Sequence, residues 1–480
     1  MRHALASAAL ALATLAGAPA LAQMNPSAFD QAEPSETEIW TGAAQLPGGA
    51  ELGFTLAITR GAEPTATIDI PSQGAIGIPI RVESIEGDSY VLRIPAPANA
   101  EIAGTINDEG DLAGVLRQAG MEFPFKLERS SVEEAGPRRP QTPRPPFPYE
   151  TIDATFDNPE AEGVTLAGTL TLPDAGVFGD GPFPAVVFVT GSGPQDRDET
   201  IVGHKPFAVI ADHLARRGVA AFRFDDRGVA ESTGDFENAD TEDFASDARA
   251  AVNFAAKHER IDPSRVGLIG HSEGGLVAPI AAIAEPNIAF IILLAGTGVD
   301  GGEILISQQE AATRGLGAPA PAVNAVVENM ALMVDAIRAG DDESAIEALR
   351  EVMSAQNPTG TPEQIDQIVG QQAGFFTSPW MKRFVDLDPA ESLGRVSVPV
   401  LALFGELDVQ VVPEVNVSPM REALAAAPTS DVTILVLDDH NHLFQRAETG
   451  MGSEYGVIEE TVSPQTLEII TAWIAQRFGN

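Results

Sequence analysis

The short apolar strand Val266-Gly-Leu-Ile269 runs directly into Gly270-His-Ser-Glu-Gly274 and then into a helix rich in Ala, Leu and Val. A strand that passes into a helix through so tight a turn leaves no room for side chains beside its apex. Gly270 and Gly274 meet that demand, and Gly275 adds space. The turn lifts the Ser272 hydroxyl clear of the sheet. It also aims the Glu273 N–H and the helix N-terminus at a developing negative charge. A Gly-x-Ser-x-Gly string alone is also a plain glycine-rich turn. The flanking strand and helix favour a nucleophile elbow.

The sequence around the elbow alternates apolar runs with helical patterns. Strands are expected at Phe183–Val189, Val219–Phe224, Val266–Ile269, Ala289–Leu294, Val400–Phe404 and Val432–Leu437. Helices are expected at Lys205–Arg217, Thr241–His258, from Ser272 onward, and at Pro464–Phe478. Continuous apolar strands between helices predict an α/β fold, a mostly parallel sheet with helices on both faces. Residues 301–395 break the alternation. They show only helical patterning, as in Ala322–Ala339 and Ser344–Met353, and predict a helical cap inserted above the sheet. Phe375, Phe376 and Trp380 lie near its end. Cap-to-core packing and an apolar wall of a substrate pocket account for them equally well.

A chain of 480 residues exceeds one ordinary core. Residues 23–132 form a different, β-rich region. Short alternating segments recur at Leu52–Ile58, Thr67–Ile70, Ile78–Val82, Tyr90–Ile94, Glu101–Ile106 and Phe123–Leu127, separated by turn signals such as Glu86-Gly-Asp88. They predict a small antiparallel barrel or sandwich preceding the α/β domain. This region holds no nucleophile or metal constellation, so an accessory role is expected. Residues 133–148, dense in proline, read as an extended linker. The α/β domain then spans 149–480.

Residues 1–22 have the form of a signal peptide. Arg2 and His3 precede an Ala/Leu-rich run to Gly17, and Ala20-Leu-Ala22 supplies small residues for cleavage. Export to the periplasm or the medium is the expectation. No later stretch reads as a membrane span. The chain has no Cys, which excludes disulfides and a lipid-modified cysteine anchor. Its formal charge is −40, and Lys is confined to Lys126, Lys205, Lys257 and Lys382. Such a surface repels phosphate backbones, so nucleic acid is not an expected partner.

Serine needs a base, and the chain order for this type of sheet is Ser, then acid, then His. Asp408 follows the strand Val400–Phe404 in Gly405-Glu-Leu-Asp408. Glu406 is the rival acid but sits so close to the strand end that a solvated loop position fits it better. Two histidines follow the last strand in Asp438-Asp-His-Asn-His-Leu-Phe444. His442 stands further out than His440, and Leu443-Phe444 offers it an apolar anchor. His440 is expected at the surface or behind the site. His204, His213, His258 and His271 precede the acid and are expected to be structural. For a second oxyanion donor beside the Glu273 N–H, Thr190-Gly-Ser-Gly-Pro194 offers the N–H of Ser192, flanked by glycines.

With Ser272, Asp408 and His442 in this order, residues 149–480 resemble bacterial α/β-hydrolase carboxylesterases, near the serine aminopeptidase-like and dienelactone hydrolase-like branches. Gly191-Ser-Gly-Pro-Gln-Asp-Arg-Asp198 is similar to the oxyanion loop of that group. Asp225-Asp-Arg-Gly228 through Ser232 resembles its D-x-R-G-x-G-x-S turn, with Ala230 in place of the second Gly. Gly405–Val411 and Asn441–Gln445 resemble its acid and histidine loops. The resemblance implies hydrolysis of a small-molecule ester, with no cofactor, through an acyl-enzyme. Peptide or thioester cleavage by the same triad is the nearest alternative. A non-catalytic binding protein on this fold is a second, disfavoured by competent residues at all triad positions. Metal-dependent hydrolysis is weaker still, because no H-x-H or H-E-x-x-H cluster sits on the elements that would need it.

Overall fold

Period-two alternation buries one face of each strand in the N-terminal β region: Ala66, Ile68 and Ile70 in one, Tyr90, Leu92 and Ile94 in another, Phe123, Phe125 and Leu127 in a third. The strands are β1 (Thr37–Gln45), β2 (Glu51–Thr59), β3 (Thr65–Ile70), β4 (Ala75–Glu86), β5 (Ser89–Ile94), β6 (Ala100–Ile106), β7 (Leu112–Gln118) and β8 (Met121–Ser130). Each pairs antiparallel with the next, and β1 pairs antiparallel with β8, so the sheet closes into a barrel. Closure removes both free edges, which a sandwich would leave exposed. Trp40, Leu56, Ile58, Tyr90 and Leu92 fill the interior. The Tyr90 hydroxyl donates to Glu38 Oε2 at 2.6 Å.

The protein is described here by a computed structural model covering residues 37–46, 51–61, 64–70, 75–94, 99–118, 121–130, 139–358 and 360–479. The expected signal segment 1–22 and residues 133–138 of the expected linker lie outside them. The chain divides into two compact units: residues 1–140 with 201–203 and 452–459, and residues 141–200, 204–451 and 460–480.

The second unit is built on an eight-stranded sheet ordered β16-β15-β14-β13-β11-β12-β10-β9. Its strands are β9 (Glu150–Asp157), β10 (Thr165–Leu172), β11 (Phe183–Val189), β12 (Ala220–Phe224), β13 (Ile261–His271), β14 (Ile288–Leu294), β15 (Val400–Gly405) and β16 (Val432–Leu437). From β12 to β16 all neighbours are parallel, whereas β10 runs antiparallel to both β12 and β9. Every residue of β11 is buried, as both faces of a central parallel strand must be. The helices Pro206–Ala215, Thr241–Ala255, Gly274–Ala284, Pro413–Ala426 and Pro464–Phe478 connect or follow the strands. The helix Thr241–Ala255 begins where Asp240 and Asp243 form a capping box.

Between β14 and β15 the chain is helical throughout: Gly301–Gly315, Ala320–Ala339, Asp342–Gln356, Pro362–Phe376, Pro379–Phe384 and Pro389–Leu393. This is the cap insertion. The helix Ala320–Ala339 is long and apolar enough to cross a membrane by length and composition alone. In the fold its apolar residues Val323, Val326, Met330, Met333, Val334 and Ile337 are buried, packed within the cap.

The Asp225–Ser232 turn is a buried electrostatic knot. Arg227 holds Asp247 with two bonds, Nε to Oδ2 at 2.7 Å and Nη2 to Oδ1 at 3.0 Å, and both side chains are buried. The Ser232 hydroxyl donates to the Asp225 carbonyl and accepts from the Ala167 N–H. Ala230 stands in this turn at φ +47°. An L side chain is disfavoured there, and this one is exposed, so its methyl group returns little packing. Ala230→Gly is expected to raise the unfolding free energy by about 0.5–1 kcal/mol. A shift of the urea midpoint at constant slope would register it. A midpoint that falls would contradict the strain.

Candidate active site

The turn after β13 is as tight as its glycines suggest. A Cβ on Gly270 would stand 2.0 Å from the Gly274 carbonyl oxygen, and one on Gly274 would stand 2.2 Å from the Val189 oxygen. Ser272, at the apex, has φ +54°. Its N–H donates to the Leu294 carbonyl at 2.8 Å, which fixes the apex against the end of β14. Glu273 stands immediately before the helix Gly274–Ala284, and its carbonyl accepts the N–H groups of Leu276 and Val277 at 2.8 and 2.9 Å.

Asp408 and His442 meet on the loops after β15 and β16. Asp408 Oδ2 lies 2.8 Å from His442 Nδ1. The other oxygen, Oδ1, accepts the N–H groups of Gln410 and Val411 at 2.8 and 2.9 Å. Both residues are buried. The histidine loop is locked from within. Asn441 Oδ1 accepts from the N–H groups of Leu443 and Gln445, and Phe444, at φ +59°, turns its ring into the core.

The rivals are disposed otherwise. Glu406 is exposed and accepts the Asp439 N–H at 3.1 Å. His440 is fully buried rather than superficial. Its Nδ1 bonds the Asp438 carbonyl and its Nε2 bonds the Ser463 hydroxyl, both at 2.6 Å. Those bonds occupy both ring nitrogens, so the imidazole ties the loop to the start of the last helix.

The loop after β11 reaches the elbow. A Cβ on Gly191 would stand 3.1 Å from Ser272 Cβ, so this backbone passes directly beside the serine. Asp226 holds both ends of the loop: Oδ1 accepts from Thr190 Oγ1 at 2.6 Å and Oδ2 from the Gln195 N–H at 2.9 Å. Burial pushes the Asp226 carboxyl well above its ordinary value, against the pull of those bonds. Ser192 lies within this loop, and its side chain bonds the Glu273 carboxylate.

Glu273 ties three pieces together. Its Oε1 accepts from Thr241 Oγ1 at 2.8 Å and from the indole Nε1 of Trp380 at 2.9 Å. Burial raises its pKa, while the bonds from Trp380, Thr241 and Ser192 oppose the shift. Trp380 stacks on Phe384 with ring centroids 4.8 Å apart and lies 5.5 Å from Phe375. The aromatic end of the cap is thus fastened beside the serine, and Trp380 does more than fill core space.

Two groups beside the site carry more than their sequence positions suggested. Glu199 Oε1 accepts the Gly191 N–H at 2.8 Å and lies 2.9 Å from His271 Nδ1. His271 Nε2 lies 3.0 Å from the His442 carbonyl oxygen. His271 precedes the serine directly, which is the one signal that could have drawn attention to it.

A serine on a strained strand-to-helix turn, above a parallel sheet whose later loops carry a buried Asp–His pair, is the architecture of an α/β-hydrolase. The profile of the family described as serine aminopeptidase, S33, matches residues 204–448, and the chain belongs to that family of hydrolases. It is similar to esterase EstD of Thermotoga maritima, 28% identical over 373 residues that make up 78% of this chain and 76% of the relative. Among solved structures it is similar to an esterase of Pyrococcus furiosus (14% identity, TM-score 0.44, covering 72% of this chain and 99% of the other). It is likewise similar to a proline iminopeptidase of Mycobacterium smegmatis (15% identity, TM-score 0.40, covering 68% and 98%).

Proposed function

We propose that the protein hydrolyses carboxylic esters through an acyl-enzyme on Ser272. The supporting observation is the 2.8 Å bond between Asp408 Oδ2 and His442 Nδ1. With Nδ1 engaged as a donor, Nε2 is the basic nitrogen, free to take the Ser272 proton as the oxygen attacks the carbonyl carbon. The N–H groups of Glu273 and Ser192 receive the oxyanion. Collapse of the tetrahedral intermediate breaks the ester C–O bond, and the leaving alkoxide takes the proton from His442. Water then repeats the sequence: His442 removes its proton, hydroxide adds to the acyl carbon, and the acid departs as Ser272 is reprotonated.

The likeness to esterase EstD favours esters, whereas the family's description points to peptides. Parallel assays of short aryl esters and aminoacyl-anilides decide between them. Turnover of the esters alone is expected, with a fluorophosphonate adduct on the peptide carrying Ser272. Cleavage of the anilides with the esters untouched would reverse the substrate assignment, and failure to label would remove the serine mechanism altogether.

Export belongs to the same proposal. Its support is the segment Arg2–Ala22, with its apolar run and small residues before the expected cleavage point. The mature N-terminus of the fractionated protein tests it, with Gln23 expected.

A further inference from the structure

We propose that His271 is an imidazolium, paired with Glu199, that positions the histidine loop and the oxyanion loop against the elbow. The inference rests on the triad reading above and adds two positioning residues to it.

The argument is one of donors and acceptors. A neutral imidazole has one N–H and one lone pair. The two nitrogens of His271 both face acceptors. Nε2 faces a backbone carbonyl oxygen, that of His442, which can only accept. Nδ1 faces Glu199 Oε1, which already accepts the Gly191 N–H. A proton in that contact is assigned to nitrogen, where the charge and hydrogen bond of Glu199 stabilise the imidazolium against the cost of burial. Both nitrogens therefore carry hydrogen, and the ring is a cation. His271 and Glu199 are buried, at 4% and 1% exposure, so the pair has no solvent to replace either bond.

The surroundings agree. Burial acts first and lowers the His271 pKa, but the charge and bond of Glu199, the bond to the His442 carbonyl and the charge of Asp408 outweigh it and leave it raised. The ionisable groups facing the ring are Glu199 from the loop after β11, Asp408 from the loop after β15 and His442 from the loop after β16, the last with ring centroids 4.7 Å apart. Glu199 holds its place at φ +52°, an unfavourable conformation for a side chain of its size.

The consequence is mechanical. The cation bonds the backbone of the base on one side and, through Glu199, the amide of Gly191 on the other. Loss of one proton turns one of these contacts into lone pair against lone pair, and a loop must move. The raised pKa sets the sign: the pair's contribution is whole below the ordinary histidine value and is lost as pH rises through the raised one. Activity on the alkaline side is therefore limited by His271.

Nitrogen-15 spectra of histidine-labelled full-length protein test this directly. A doubly protonated imidazole that persists above the ordinary histidine pKa of about 6.5 is expected in the wild type and absent from Glu199→Gln. That variant is expected to lose about 10²-fold in kcat with KM unchanged. Its alkaline limb should move to lower pH, while a fluorophosphonate still labels Ser272. A wild type whose histidines all lose the second proton at or below that ordinary value overturns the proposal, whatever the variant's folding. So does a Glu199→Gln enzyme with wild-type kcat and pH profile. Failure of the triad reading shows differently, as a wild type that the fluorophosphonate does not label at Ser272.

Discussion

Ser272→Ala is expected to lower kcat on an aryl ester by roughly 10⁶-fold, about 8 kcal/mol of barrier. The size follows from what the serine does alone. In the proposed mechanism it supplies the attacking oxygen, so without it His442 and Asp408 would have no proton to move and water would have to attack an unactivated carbonyl. What remains is the effect of backbone N–H groups and binding, which are unchanged by removal of one hydroxyl. The fold should not suffer. Alanine meets the same φ of +54° as serine, and the N–H bond from residue 272 to Leu294 belongs to the backbone. Thermal unfolding within a degree or so of wild type, together with the lost turnover, is the expected pair of results. A variant that keeps more than about a hundredth of the wild-type rate, in a preparation free of host esterase, would show that another group attacks.

The residues needed for that experiment were legible because each sits where chain order and strand ends require. The continuous apolar runs of β11, β14 and β15 announced a parallel sheet, and the elbow followed β13 directly. Other strands were silent for physical reasons. β9 is mostly exposed and polar, and with β10 it forms an antiparallel hairpin ahead of the parallel strands, outside the alternation that revealed them. β7 carries Gly114 at its centre, facing Gly104 of β6, and a glycine pair has no side chains to alternate. β1 buries the adjacent Ile39 and Trp40 and then runs into Gly42-Ala-Ala44, so it shows no period-two pattern.

The positioning groups were hidden more deeply. Glu199 meets a histidine 72 residues away, and Asp226 meets a threonine 36 residues away. No local pattern marks a carboxylate that will be buried by chain folding over such spans. Burial is what gives these groups their effect, because a bond in a site without solvent has no substitute when it is lost. The Asp408–His442 pair and the elbow serine sit at positions that chain order alone suggests. The groups that hold their loops do not.

Asp408→Asn tests whether the acid does more than occupy space, and a loss of roughly 10⁴-fold in kcat is expected with little change in KM. The geometry dictates why an isosteric change should be so costly. Oδ1 of residue 408 accepts the N–H groups of Gln410 and Val411, so the asparagine must keep its carbonyl oxygen there. Its NH2 is then turned to His442 Nδ1, where the carboxylate oxygen stood at 2.8 Å. A donor facing Nδ1 forces the histidine proton onto Nε2, the nitrogen that must receive the proton of Ser272. The base is present but in the wrong tautomer. Glu406→Gln is the matched control: that side chain is exposed and bonds the Asp439 N–H, so it should stay within about twofold of wild type, as surface changes away from the chemistry do. Adding Asp408→Asn to Ser272→Ala should cost almost nothing more, because a base with no serine proton to accept has no tautomer to get wrong. Losses that multiply in the double variant, or a Glu406 variant that fails while Asp408→Asn turns over, would show that the acid is misassigned.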